Sequence, residues 1–136
     1  MTADFRPRSV GEGRAGADLP QVSDEMLAVA RQQTRPYSLI ILKTGPNFSP
    51  PGPDRDPAVS RIILEHGKRN LALRLAGLLP IICPVADGTE VAGIGIFTAG
   101  PDEVNRIYSE DPAVMAGVLS FEVHPTWSFV GSTLPA

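Results

Sequence analysis

Apolar positions follow no period along residues 1–20, where arginines and acids are interspersed with Gly11, Gly13, Gly16, Pro7 and Pro20. Such a stretch is an arm and not part of a core. Over residues 23–33 the pattern changes. Met26, Val29 and Ala30 recur at helical spacing, Ser23 supplies an N-cap, and Arg35-Pro36 ends the run, which predicts a short docking helix. Residues 37–43 (YSLIILK) are aromatic and β-branched between Pro36 and Gly45-Pro46, so they read as a buried strand. Residues 45–57 carry five of the fourteen prolines, too many for a helix or a central strand. A loop of that length in a small domain is often functional.

The best-marked element follows. Asp56-Pro57 gives an N-cap with proline at the first helical position, and Gly77 gives a stop. At 100° per residue Val59, Ile62, Ile63, His66, Asn70 and Leu73 share one stripe, while Leu64, Leu71 and Leu75 form a second. One stripe should face a sheet. The other needs a cover, from the N-terminal helix or from a second subunit. Residues 79–85 and 91–97 read as two strands joined through Asp87-Gly88, and they should pair antiparallel. Pro101, with acids after it, opens another helix that buries Val104, Ile107 and Tyr108. Asp111-Pro112 restarts a helical turn closed by Gly117, and residues 118–130 form the last strand, broken by Pro125.

The order βαββαβ predicts an α+β fold of the ferredoxin-like kind, an antiparallel sheet with its helices on one face. The opposite face would be bare and apolar, which favours a homodimer, with assembly beyond the dimer left open. The division expected is an arm and docking helix over 1–36, the sheet domain over 37–130 and a tail over 131–136.

Composition narrows the function. The 136 residues, 43% hydrophobic and 20% charged, suit one globular domain. A net charge of −3 without a basic cluster argues against nucleic acid, and no apolar run approaches a bilayer's thickness. The N-terminus lacks a secretory pattern and Cys83 is the single cysteine, so a cytoplasmic location is expected.

Few residues carry chemistry. The glycine spacing of Gly11, Gly13 and Gly16 matches a dinucleotide fingerprint, but no strand precedes it and no apolar helix follows. His66 interrupts an apolar stripe, with Asn70 one turn on. It is either a core histidine satisfied internally or a general acid/base facing a cavity between helix and sheet. Asp111 taken alone is an N-cap. Cys83 is a small buried hydrophobe or a nucleophile, and His124 is a second site group or a surface residue. Two histidines and one cysteine make no metal set.

Taken in order, His66 followed by Gly77, the Asp87-Gly88 hairpin, the acidic helix start, Asp111, Pro112, Ala116 and Gly117, and a last strand ending in Pro125 and Trp127 resemble the YciI-like family of the dimeric α+β barrel superfamily. The resemblance spans residues 37–127. It implies sheet-to-sheet dimers, a pocket between helices and sheet, no cofactor, and a histidine–aspartate pair that falls on His66 and Asp111. A carboxylate beside an imidazole fixes its tautomer and orients it for proton transfer. The chain departs from the family in two places: Cys83 replaces a glycine before Pro84, which would give the pocket wall a thiol, and His124 replaces an arginine.

The expected function is a small cofactor-independent enzyme of lyase or isomerase type, dehydrochlorinase-like, acting on a small cyclic or aromatic molecule. His66 and Asp111 would be catalytic, and Asn70, Tyr108, Cys83 and His124 would contact the substrate. The alternative is a non-catalytic small-molecule-binding or accessory protein in which His66 and Asp111 satisfy each other. A Cys83-dependent enzyme is the third reading.

Overall fold

The computed structural model of the chain describes residues 19–136, so the glycine-rich stretch 11–16 lies outside the described residues. The chain divides into two units, 1–32 and 33–136. In the first, α1 (Asp24–Arg31) begins at Ser23, whose hydroxyl accepts from the Met26 amide at 3.1 Å. The second runs β1 (Thr34–Thr44), α2 (Pro57–Leu75), β2 (Ile81–Pro84), β3 (Val91–Phe97), α3 (Pro101–Ser109), α4 (Pro112–Met115) and β4 (Leu119–Phe129). No helix among the described residues is long and apolar enough to cross a membrane.

The four strands form one antiparallel sheet in the order β2-β3-β1-β4, the ferredoxin-like arrangement. Pro125 does not break the last strand. It sits opposite Ser38 within an unbroken β1–β4 ladder, and β4 is an edge strand, where the N–H that proline lacks would have had no partner strand. Pro36 likewise lies inside β1, in the stretch before β1 begins to pair with β3.

Register assigns the two faces. Ser38, Ile40 and Leu42 of β1 lie opposite Phe97, Gly95 and Gly93 of β3 and are buried, so they face the helices. Leu39 and Ile41 lie opposite Ile96 and Ile94 and point the other way. On the helix side one core cluster joins Ile40, Leu42, Leu79, Phe97, Val104 and Tyr108, and a second joins Val59, Ala113, Val118 and Leu119. The α2 stripe expected to meet the sheet does so, with Val59, His66 and Asn70 buried, while Leu64, Leu71 and Leu75 are exposed.

Gly95 shows how closely the layers meet. A Cβ there would stand 2.9 Å from Leu79 Cδ1, 3.1 Å from Ile40 Cγ2 and 3.2 Å from the Ile81 carbonyl. Gly95→Ala therefore lowers stability by about 1–3 kcal/mol, the usual cost of overpacking a filled core. Urea unfolding measures it, and an unchanged midpoint would contradict this packing.

Candidate functional site

The site is built on α2. Residues 63, 66, 67, 70, 71 and 74 fall within one broad face of a 3.6-residue helix, and all of them line a cavity of about 850 Å³ between α2 and the sheet. Most of its wall is aliphatic, from Ile40, Leu42, Leu79, Ile82 and Val91 among others. The proline-rich loop contributes Phe48, Pro50, Pro51 and Arg55 to the same wall. The loop's first residues are pinned to the α4–β4 turn. Asn47 donates from its backbone to the Gly117 carbonyl and from its side chain to the Ala116 carbonyl, both at 2.9 Å. Gly117 holds a φ of +70°, which a side chain would strain, and its carbonyl lies where a Cβ on Gly45 would have to be.

At the inner end of the cavity a chain of hydrogen bonds has one consistent direction. Asp111 is fully buried and caps α4, accepting from the Ala113 amide at 2.9 Å and the Val114 amide at 3.3 Å. Arg69 stands 3.9 Å from its other oxygen. An ionised carboxylate only accepts, so His66 Nδ1, at 2.9 and 3.0 Å from the two oxygens, must carry the proton and donate. In the neutral ring His66 Nε2 is then an acceptor, and Asn70 donates to it from Nδ2 at 3.2 Å. That leaves Asn70 Oδ1 to accept from the Tyr108 hydroxyl at 2.6 Å. The Tyr108 ring is fixed edge-on against Phe97 and tilted against Phe121, with centroids at 5.6 and 5.7 Å. The result is an imidazole, 9% exposed, whose basic nitrogen is held in the cavity wall by a side-chain amide.

Each candidate residue is thereby located. His66, Asn70 and Tyr108 line the cavity, and Asp111 stands behind His66. Cys83 also borders the cavity, yet it sits opposite Ile94 on the sheet face away from the helices, so only its main chain faces the helix side. His124 sits opposite Leu39 on that same far face, is exposed, and contacts Glu122 at 3.0 Å. Lys43 pairs with Glu122 from the neighbouring strand, and together with His124 it holds the Glu122 carboxyl below its ordinary range. The structure thus brings four of the six candidates together and leaves Cys83 and His124 outside the hydrogen-bonded chain.

Among the cavity residues outside the sequence-predicted site are Arg55, Arg74 and Gly67. Gly67 carried a signal. A glycine in a helix interior costs about 0.5–1 kcal/mol relative to alanine, and here nothing lies within 4 Å of where its Cβ would be. The open space beside it is the cavity.

No family model matches the chain, and no curated protein does. Among solved structures, the chain is similar to 5-chloro-2-hydroxyhydroquinone dehydrochlorinase from Burkholderia phenoliruptrix AC1100, in its complex with 2,5-dihydroxybenzoquinone. The match has 21% identity, covers 65% of this chain and 90% of that one, and has a TM-score of 0.41.

Burial pushes the Tyr108 phenol far above its ordinary range, and the Asp111 charge adds to the shift while the bond to Asn70 opposes it. The folded protein therefore keeps a proton that the unfolded chain releases above about pH 10. Stability must fall as pH rises past that point. In a Tyr37→Phe background the phenolate absorbance of Tyr108 is expected to appear only together with alkaline unfolding. Its appearance in the folded protein near pH 10 would contradict the buried bond.

Proposed function

We propose that the protein is a small cofactor-independent enzyme that moves a proton on a small cyclic or aromatic molecule. The observation that carries this reading is the buried Asp111–His66 pair with its basic nitrogen on the wall of an otherwise largely apolar cavity. His66 Nε2 takes a proton from a substrate carbon, and Asp111 balances the charge that forms on the ring. Asn70, released from Nε2 as the substrate enters, offers its Nδ2 hydrogens to the oxygen on which negative charge develops. Tyr108 keeps that amide from turning by holding its carbonyl. If the proton returns to another carbon, the outcome is isomerisation. If the electron pair left by the proton expels a leaving group, a double bond forms and the outcome is elimination, as the sequence resemblance implies.

A homodimer belongs to the same reading. Leu39, Ile41, Ile81, Ile94 and Ile96 occupy the sheet face away from the helices and are partly exposed. A contiguous apolar face of this kind is what a second copy would cover.

A second reading is favoured by one feature: both nitrogens of His66 are already satisfied within the protein. A binding protein with no chemistry would show the same pair. Deuterium exchange separates the two. Incubated in heavy water with a panel of cyclic enones and hydroxyquinones, the protein should wash deuterium into the carbon acid of at least one. His66→Gln should slow that exchange by about 10²–10⁴-fold, the usual worth of a positioned base. Equal exchange in variant and parent, at equal folded fraction, would remove His66 from the chemistry.

A further inference from the structure

The protein carries a net charge of −3, yet among the described residues no aspartate or glutamate lines the cavity. Its full charges are two guanidinium groups, on Arg55 and Arg74, set among aliphatic and proline side chains. Their bonding is incomplete. The Arg74 side chain makes no hydrogen bond or ion pair among the described residues, in contrast to that of Arg61 on the same helix, which meets Glu65 at 3.0 Å. Arg55 commits Nε to the Ser49 carbonyl at 2.9 Å and lays its guanidinium 5.7 Å from the centre of the Phe48 ring. These two contacts hold the group in place and leave its outer nitrogens without an acceptor among the described residues.

From this we infer that the cavity selects a cyclic molecule bearing a carboxylate, which the Arg55 and Arg74 guanidiniums receive. A planar fork of N–H donors matches a carboxylate in two parallel bonds, and beside an apolar wall such a bond is stronger than in open water. A neutral ligand would leave both cations answered by water alone. Placement agrees. Arg74 follows His66 by eight residues on the cavity face of α2, ~12 Å along the axis at 1.5 Å per residue. Helical side chains lean back toward the N-terminus, which brings the guanidinium nearer the imidazole. The remaining gap is of the order of one ring, so the carboxylate anchors one end and the reacting carbon meets Nε2 at the other. Arg74 and Arg55 are then specificity-determining residues. The inference rests on the reading of this cavity as the substrate site and adds the charge of the substrate to it.

The test uses naphthoate and its neutral isostere naphthamide, titrated into the full chain and followed by backbone amide NMR. Naphthoate should shift the amides of Gly67 and Gly93 on the cavity wall and bind about threefold to tenfold more tightly than naphthamide, the order for a partly exposed charge-assisted pair. Arg74→Gln and Arg55→Gln should each reduce that ratio, and together bring it to about one. Neither arginine packs in the core, and unchanged spectra outside the cavity would verify the fold of each variant. The ratio should also shrink in roughly 0.5 M salt. Equal binding of the two compounds at the cavity amides, or a ratio indifferent to both arginines, overturns the anion assignment and leaves the acid–base reading standing. Failure of both compounds to move those amides overturns both.

Discussion

A carboxylate with none of its surface in water must have its charge answered by donors, and the Asp111 side chain organises its surroundings for that reason. Two backbone amides of α4 reach it as an N-cap, the ring of His66 reaches it from α2, and Arg69 stands nearby. The same group therefore starts a helix, ties α2 to the segment before β4, and sets the tautomer of an imidazole. Its structural and chemical roles share the same bonds. Removing one partner of such a buried pair leaves the other charged or polar group stranded, typically costing about 3–5 kcal/mol.

The polarity fixed at Asp111 passes outward through His66, Asn70 and Tyr108 until it ends in an aromatic cluster. With the ring neutral and its proton on Nδ1, each amide and hydroxyl along it has one orientation that satisfies its neighbours. Around this polar line the walls are aliphatic, and the proline-rich loop, pinned at Asn47, completes them. A base held beside an apolar wall meets a lower local polarity than in open water, so electrostatic contacts there gain strength. Gly67 and Gly93 keep the space open from opposite sides, since each leaves bare backbone on the lining.

Much of this was legible in the sequence because local rules wrote it. The proline after Asp56, the Asp87-Gly88 pair and the apolar stripe broken by His66 each follow from requirements within a few residues. Asp111 was legible as a cap, but its meeting with a histidine 45 positions away depends on tertiary packing and entered through family resemblance. The faces of Cys83 and His124 were harder. In a uniformly apolar strand such as residues 81–84, nothing local shows which side chains turn inward, and a shift of one residue reverses them all. Pro125 reads as a break in the sequence because its tolerance depends on β4 being an edge strand, which strand order alone decides. Arg55 and Arg74 carry no local mark in the sequence, because only the fold brings a proline-rich loop and the end of α2 to one cavity.

The chemistry of the site turns on Asp111 holding His66 with its proton on Nδ1 and its lone pair on Nε2. Two-bond proton–nitrogen correlation spectra of the imidazole rings, recorded on the His124→Ala protein at alkaline pH so that a single ring is seen, report this directly. The spectra should show a protonated Nδ1 and a bare Nε2, with that preference lost in Asp111→Asn. A proton found on Nε2, or a tautomer indifferent to Asp111, would contradict that arrangement.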